Sequence, residues 1–124
     1  MENYVQLAVR TESPPNMSLI GRAGDKVREL HAVMGLMTEL GELADPLKRH
    51  VFYGTPAPLR TNVKEELGDL LWYIAVMCDV HGLTIEEVMR ANINKLVARY
   101  PEKFDGERAV NRDLAAEQDI LEGT

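Results

Sequence analysis

Residues 39–43 read Glu-Leu-Gly-Glu-Leu, and residues 66–70 read Glu-Leu-Gly-Asp-Leu. Each phrase sets two carboxylates three positions apart, which puts them on one side of a helix. Each also holds a glycine, which costs a helix interior about 1 kcal/mol relative to alanine. A missing side chain lets a neighbouring helix or a ligand come close. Helix crossing alone explains Gly41 and Gly68 equally well.

The flanking pattern decides the secondary structure. Leu30, Val33, Met37, Leu40, Ala44, Leu47 and Val51 recur three and four apart, the stripe of a packed helix running from about Asp25 to Phe52. Asp25 has the chemistry of an N-cap. Pro46 removes a backbone donor and crowds the preceding turn, which predicts a kink or break one turn past Glu42. After a loop at 53–58, Val63, Leu67, Leu70, Ile74 and Met77 mark a second helix. It starts near Thr61 or Asn62, where Asn62 and Glu65 have capping-box spacing, and it stops at Gly82. Leu71 and Cys78 widen its apolar face, enough to expect burial on more than one side and a second chain.

Outward from this pair the signals are weaker. Asn3 and Gln6 have capping-box spacing for a short helix over 3–10, followed by a loop from Thr11 to Gly24. Thr84 and Glu87 open another helix, with Ile85, Val88, Met89, Ile93, Leu96 and Val97 on one face and Pro101 at its end. Beyond it lies a polar tail, 105–124, in which 111–122 suits a weak acidic helix. No segment alternates with period two. The expectation is an all-α helical bundle, with two long antiparallel helices, a third helix and short terminal helices, completed by oligomerisation. The whole of 1–124 reads as one domain, with its core over about 25–104.

Glu39 stands to Leu40 as Glu66 stands to Leu67, so both acid pairs lie just off the same edge of their stripes. Packing the stripes together brings four carboxylates to one seam. Two like charges about 5 Å apart at an effective dielectric of 20 repel by roughly 3 kcal/mol. A cation relieves that repulsion most simply. All-oxygen ligands suit Mg²⁺ or Mn²⁺, whereas di-iron bundles add a Glu-x-x-His motif that neither phrase carries. His31, His50 and His81 are scattered and read as surface or satisfied histidines. Mg²⁺ favours sharing with substrate phosphates, which points to phosphoanhydride chemistry. Asn92, Lys95 and Arg99 share a helix face and offer cations to distal phosphates, with Lys48 and Arg49 weaker candidates of the same kind. Ordinary solvated charges near a helix C-terminus account for the same spacing.

Composition narrows the class. The 124-residue chain is 45% apolar, with 14 basic against 20 acidic residues and a formal charge of −6. That balance argues against a nucleic-acid polymer as partner. A single cysteine, Cys78, excludes an internal disulfide and reads as a buried thiol. There is neither a secretory leader pattern nor an 18-residue apolar stretch, so the expected compartment is the cytoplasm, with no membrane contact.

The ordered pair Glu39-x-x-Glu42 and Glu66-x-x-Asp69, with Leu-Gly-Asp-Leu-Leu-Trp-Tyr and then Ala-Asn-Ile-Asn-Lys-Leu, resembles the MazG-like all-α nucleoside triphosphate pyrophosphohydrolases. The resemblance extends from about Leu30 to Phe104. It implies Mg²⁺ held by Glu39, Glu42, Glu66 and Asp69, and cleavage of a nucleoside triphosphate to the monophosphate and pyrophosphate. It also implies phosphate contacts from Asn92, Lys95 and Arg99, and a homodimer or homotetramer. Many relatives carry a further glutamate where this chain has Thr38, and Glu65 is the nearest spare carboxylate by sequence. Trp72, Tyr73, Phe52, Tyr53 and His31 are the conceivable base contacts. The competing expectations are a nucleotide-binding regulatory protein with weak or no turnover, and a structural helical oligomer whose acids only solubilise it.

Overall fold

The computed structural model describes residues 3–16 and 21–123. Among them are six α-helices and no strand: α1 Tyr4–Val9, α2 Val27–Tyr53, α3 Arg60–Val80, α4 Ile85–Arg99, α5 Gly106–Val110 and α6 Leu114–Glu122. The all-α expectation is met. The chain forms two compact units, Met1–Gly82 and Leu83–Thr124.

In the first unit, α3 is the central element, and both α1 and α2 pack on it. α2 and α3 run antiparallel. Arg28 near the start of α2 donates to Asp79 near the end of α3 at 2.7 Å, while Glu42 of α2 meets Glu66 of α3. The core consists of Val5 and Ala8 from α1, Ala32 from α2, and Ala75, Val76 and Cys78 from α3. Burial on two sides accounts for the C-terminal half of the wide apolar face of α3, where Ala75, Val76 and Cys78 are buried, whereas Leu67 and Leu71 stay exposed in the single chain. It also accounts for the buried thiol of Cys78.

The packed face of α2 is not the stripe expected from the large apolar residues. Leu30, Val33, Met37, Leu40, Leu47 and Val51 are all exposed in the single chain. The face turned to α3 carries buried Ala32 and Gly35 with half-buried Leu36, Glu39, Leu43 and Pro46, again three and four apart. Small residues let the helices approach closely, and size rather than hydrophobicity selects the face. A Cβ on Gly35 would collide with the Tyr73 ring, whereas one on Gly41 or Gly68 meets open space. Helix crossing therefore accounts for Gly35 and, within this chain, not for the two glycines of the acidic phrases.

Four local expectations are corrected. Asp25 does not cap α2: a 3₁₀ turn at Gly21–Lys26, with Gly24 at φ 51°, leads into the helix through Lys26. This turn occupies the end of the expected loop, whose residues 17–20 lie outside the described set. The helix does not break at Pro46, and α2 continues to Tyr53. Proline forfeits one bond of a long helix, and Asp45 pairs with Lys48 at 3.4 Å and with Arg49 at 4.0 Å across that turn. Asn62 is inside α3, which begins at Arg60 behind Leu59 without a side-chain cap. In place of the expected stop at Gly82, the helix ends at Val80 with His81 as its cap, and Gly82 follows in the left-handed region at φ 65°.

In the second unit the predicted capping box is present. The Thr84 hydroxyl accepts from the Glu87 amide at 3.1 Å, and the Glu87 carboxylate accepts from the Thr84 amide at 2.6 Å. The polar tail is more ordered than its composition suggests. α6 packs on α4, and Arg99 of α4 donates twice to Glu117 of α6, at 2.7 and 2.8 Å.

Candidate active site

The antiparallel pairing of α2 with α3 places the two acidic phrases side by side. One carboxylate oxygen from each of Glu39, Glu42 and Glu66 lies within 4.8 Å of the others. Glu39 is on the packed face of α2 rather than just off it, and is half-buried, as is Glu66 on α3. Glu42 and Asp69 are exposed at the rim. Asp69 acts on the trio electrostatically, raising the pKa of both Glu39 and Glu66. For each of these glutamates burial is the larger cause, followed by repulsion from Glu42 and then Asp69.

The donor set tests whether a cation belongs here. The Oε2 atoms of Glu39 and Glu66 are buried and accept no hydrogen bond. A buried polar atom without a partner is costly, and most such atoms in folded proteins are satisfied. Here the orphaned atoms are hard carboxylate oxygens of two members of the converging trio. They fit an oxygen-preferring divalent cation of the Mg²⁺ or Mn²⁺ type, with exposed Glu42 as the third carboxylate within reach, while Asp69 lies outside this trio.

Next to the acids lies a cleft of about 320 Å³ lined by Thr11, Glu39, Asp69, Trp72 and Tyr73. Trp72 and Tyr73 meet edge to face, with centroids 4.9 Å apart, and His31 meets each of the two rings in an edge-to-face arrangement. Of the conceivable base contacts, Trp72 and Tyr73 line the cleft with the acids, and His31 touches both of their rings. Phe52 and Tyr53 are exposed at the far end of α2.

The remaining sequence candidates are placed as follows. Thr38 is exposed, and its hydroxyl donates to the Gly35 carbonyl at 3.0 Å. Glu65 is exposed and outside the tight trio, although its charge adds to the upward shift of Glu66. Lys48 is exposed and paired with Asp45. In the second unit, Asn92 and Lys95 line an apolar groove of about 510 Å³ together with Val88 and Leu121. Arg99 is engaged by Glu117, which holds the guanidinium pKa above its ordinary value. Sequence reasoning missed Thr11, Gly35 and Glu117. Their partners are 61, 38 and 18 residues away in the chain, Trp72, Tyr73 and Arg99 respectively, and no local pattern announces such contacts.

Residues 28–104 match the MazG nucleotide pyrophosphohydrolase domain. The uncharacterized protein YvdC of Bacillus subtilis (strain 168) is 32% identical over 73 residues, spanning 52% of this chain and 69% of YvdC. The Gene 37 protein of Mycobacterium phage L5 is 30% identical over 73 residues, spanning 56% of this chain and 63% of that protein. No solved structure matches the chain. The domain match covers more than half of the chain and contains both acidic phrases, and this chain belongs to the MazG nucleotide pyrophosphohydrolase domain family.

Proposed function

We propose that this protein is a Mg²⁺-dependent nucleoside triphosphate pyrophosphohydrolase. It cleaves a ribo- or deoxyribonucleoside triphosphate between the α- and β-phosphates, giving the monophosphate and pyrophosphate. The observation that carries this reading is the convergence of Glu39, Glu42 and Glu66, with two buried oxygens lacking any donor, inside the family-matched region.

In this reading Glu39, Glu42, Glu66 and Asp69 hold the cation, with Mn²⁺ able to replace Mg²⁺. When bound, it neutralises phosphate charge and makes water a better nucleophile. A carboxylate of the seam takes the proton from the attacking water, with Glu65 as the spare candidate. Asn92, Lys95 and Arg99 are assigned to substrate phosphates on the resemblance alone, and Lys48 is a weaker candidate. Because Arg99 is already committed to Glu117, Lys95 is the cation more available to a ligand.

We also read 1–124 as one functional domain, since the family match runs across the boundary between the two compact units. The exposed stripe of α2, from Leu30 to Val51, supports a homodimer or homotetramer. No helix among the described residues is long and apolar enough to cross a membrane. Nucleotide-pool cleaning or turnover of a regulatory nucleotide, in the cytoplasm, is the role that suits such an activity. A second reading, nucleotide binding with weak or no turnover, is favoured by Thr38, whose hydroxyl is turned to its own helix backbone.

A screen of canonical, deoxy and modified nucleotides with Mg²⁺, scored for pyrophosphate against orthophosphate, separates the two. Pyrophosphate from at least one triphosphate supports the enzyme. Mg²⁺-dependent binding without product supports the binder, and orthophosphate as first product contradicts the assigned bond.

A further inference from the structure

The chain carries a formal charge of −6, yet one small cavity of the second unit is walled by cations. It holds about 100 Å³ and is lined by Arg99, Arg108, Asn111, Arg112, Asp113 and Glu117. Pockets for organic ligands run to roughly 300–1,000 Å³, so this volume suits a small ion. Three guanidiniums against two carboxylates leave one positive charge in excess on its wall.

Glu117 organises the wall. Its two oxygens accept four N–H bonds, two from Arg99 and two from Arg112. A guanidinium carries five N–H groups in a rigid fork, so Arg112 is held in one orientation with three N–H groups that Glu117 does not use. The Asp113 carboxylate accepts from the Ala116 amide at 3.0 Å. Arg108 is exposed, and its guanidinium pairs with no carboxylate among the described residues. Arg108, Asn111, Arg112 and Glu117 all lie beyond the family-matched residues 28–104. The nucleotide reaction therefore does not explain them.

We propose that this cavity binds a phosphate group, held by Arg108 and Arg112 with Asn111 beside them. Guanidinium–phosphate bonds are charge-assisted and commonly bidentate, so two arginines suit a tetrahedral oxyanion better than two lysines would. Glu117 is a positioning residue: it fixes the Arg112 fork while its own oxygens are occupied. The site shares no residue with the acidic seam and does not depend on the pyrophosphohydrolase reading. Its ligand is either a free anion or the phosphate of a nucleotide, two sources of the same chemistry.

The test titrates the full chain by calorimetry at constant ionic strength, without divalent cations, so that no metal at the seam draws phosphate. Orthophosphate, pyrophosphate and adenosine 5′-monophosphate are the probes. At least one should bind saturably, with about one site per chain. Arg108→Gln should weaken that binding by about tenfold or more, with melting unchanged because its guanidinium has no partner to lose. Arg112→Lys, which keeps the charge and loses the fork, should also weaken it. Lys26→Gln, in the first unit, should leave it as it is. Tighter binding of the inorganic anions assigns the site to a free ion, and tighter binding of the monophosphate assigns it to a nucleotide. Absence of saturable binding by all three probes overturns the proposal. Binding that survives Arg108→Gln undiminished, or that falls equally in Lys26→Gln, overturns it as well.

Discussion

Glu39 and Glu66 in the first unit and Glu117 in the second all withdraw carboxylate oxygens from water, but under opposite electrical conditions. The first two face other acids, each keeps one oxygen with no donor, and their pKa values are pushed upward by burial and by Glu42 and Asp69. Glu117 is flanked by two guanidinium groups, with Arg99 and Arg112 each donating twice. Those hydrogen bonds, Arg99 first, lower its pKa to about 2. One arrangement is unfavourable until something cationic arrives. The other is complete within the chain. A buried acid left wanting marks a binding site, whereas a buried acid doubly paired marks a fastening, here of α6 to α4.

The comparison can be broken most sharply at the acids. Asp69→Asn or Glu42→Gln should lower Mg²⁺-dependent pyrophosphate release by at least about a hundredfold, since each removes a charged ligand from a site that needs it. Full activity in both variants would sink the site assignment. At Glu117 the same kind of change should act on folding. Glu117→Gln leaves Arg99, whose side chain is 15% exposed, without its counter-charge. The segment carrying α5 and α6 should then become protease-sensitive, with melting lowered by roughly 5–10 °C. Unchanged proteolysis of that segment would show that the clamp contributes nothing.

The pH dependence follows from the sign of the Glu117 shift. Its folded-state pKa, about 2, lies below the ordinary 4.5. Its contribution is therefore fully present above the ordinary glutamate range and is lost as pH falls through about 2. Hydrogen exchange in α6 should accelerate across that acid window in the unaltered chain and lose this dependence in Glu117→Gln. A smaller effect of opposite sign is expected at the seam. Without divalent cations, Glu39→Gln removes a like charge from among acids, and melting should rise by about 2 °C. A fall there would mean that the carboxylate is satisfied in the metal-free protein.

Much of this was legible in the sequence, for identifiable reasons. Helix type and approximate length followed from spacing and caps, as at Thr84 and Glu87, because those signals are local. The meeting of the two acidic phrases followed from their repetition on adjoining amphipathic helices. The packed face of α2 did not follow, because the largest apolar residues, Leu30 through Val51, outweigh Ala32 and Gly35 in any hydrophobic stripe. Close approach rewards smallness instead. Pro46 misled for a related reason, since a single lost donor is local while the continuity of a long helix is not. The ordering of the tail was hidden because its stability resides in one long-range carboxylate, Glu117, inside a polar composition.

The central claim is that the carboxylates of α2 and α3 form a divalent-cation site. It is tested most directly by titrating the full chain with Mn²⁺ and following the electron paramagnetic resonance signal of the free ion. The account predicts saturable loss of that signal with the unaltered protein, competition by Mg²⁺, and greatly weakened binding in Glu42→Gln. A signal untouched by the unaltered protein, or depleted equally by Glu42→Gln, would contradict it.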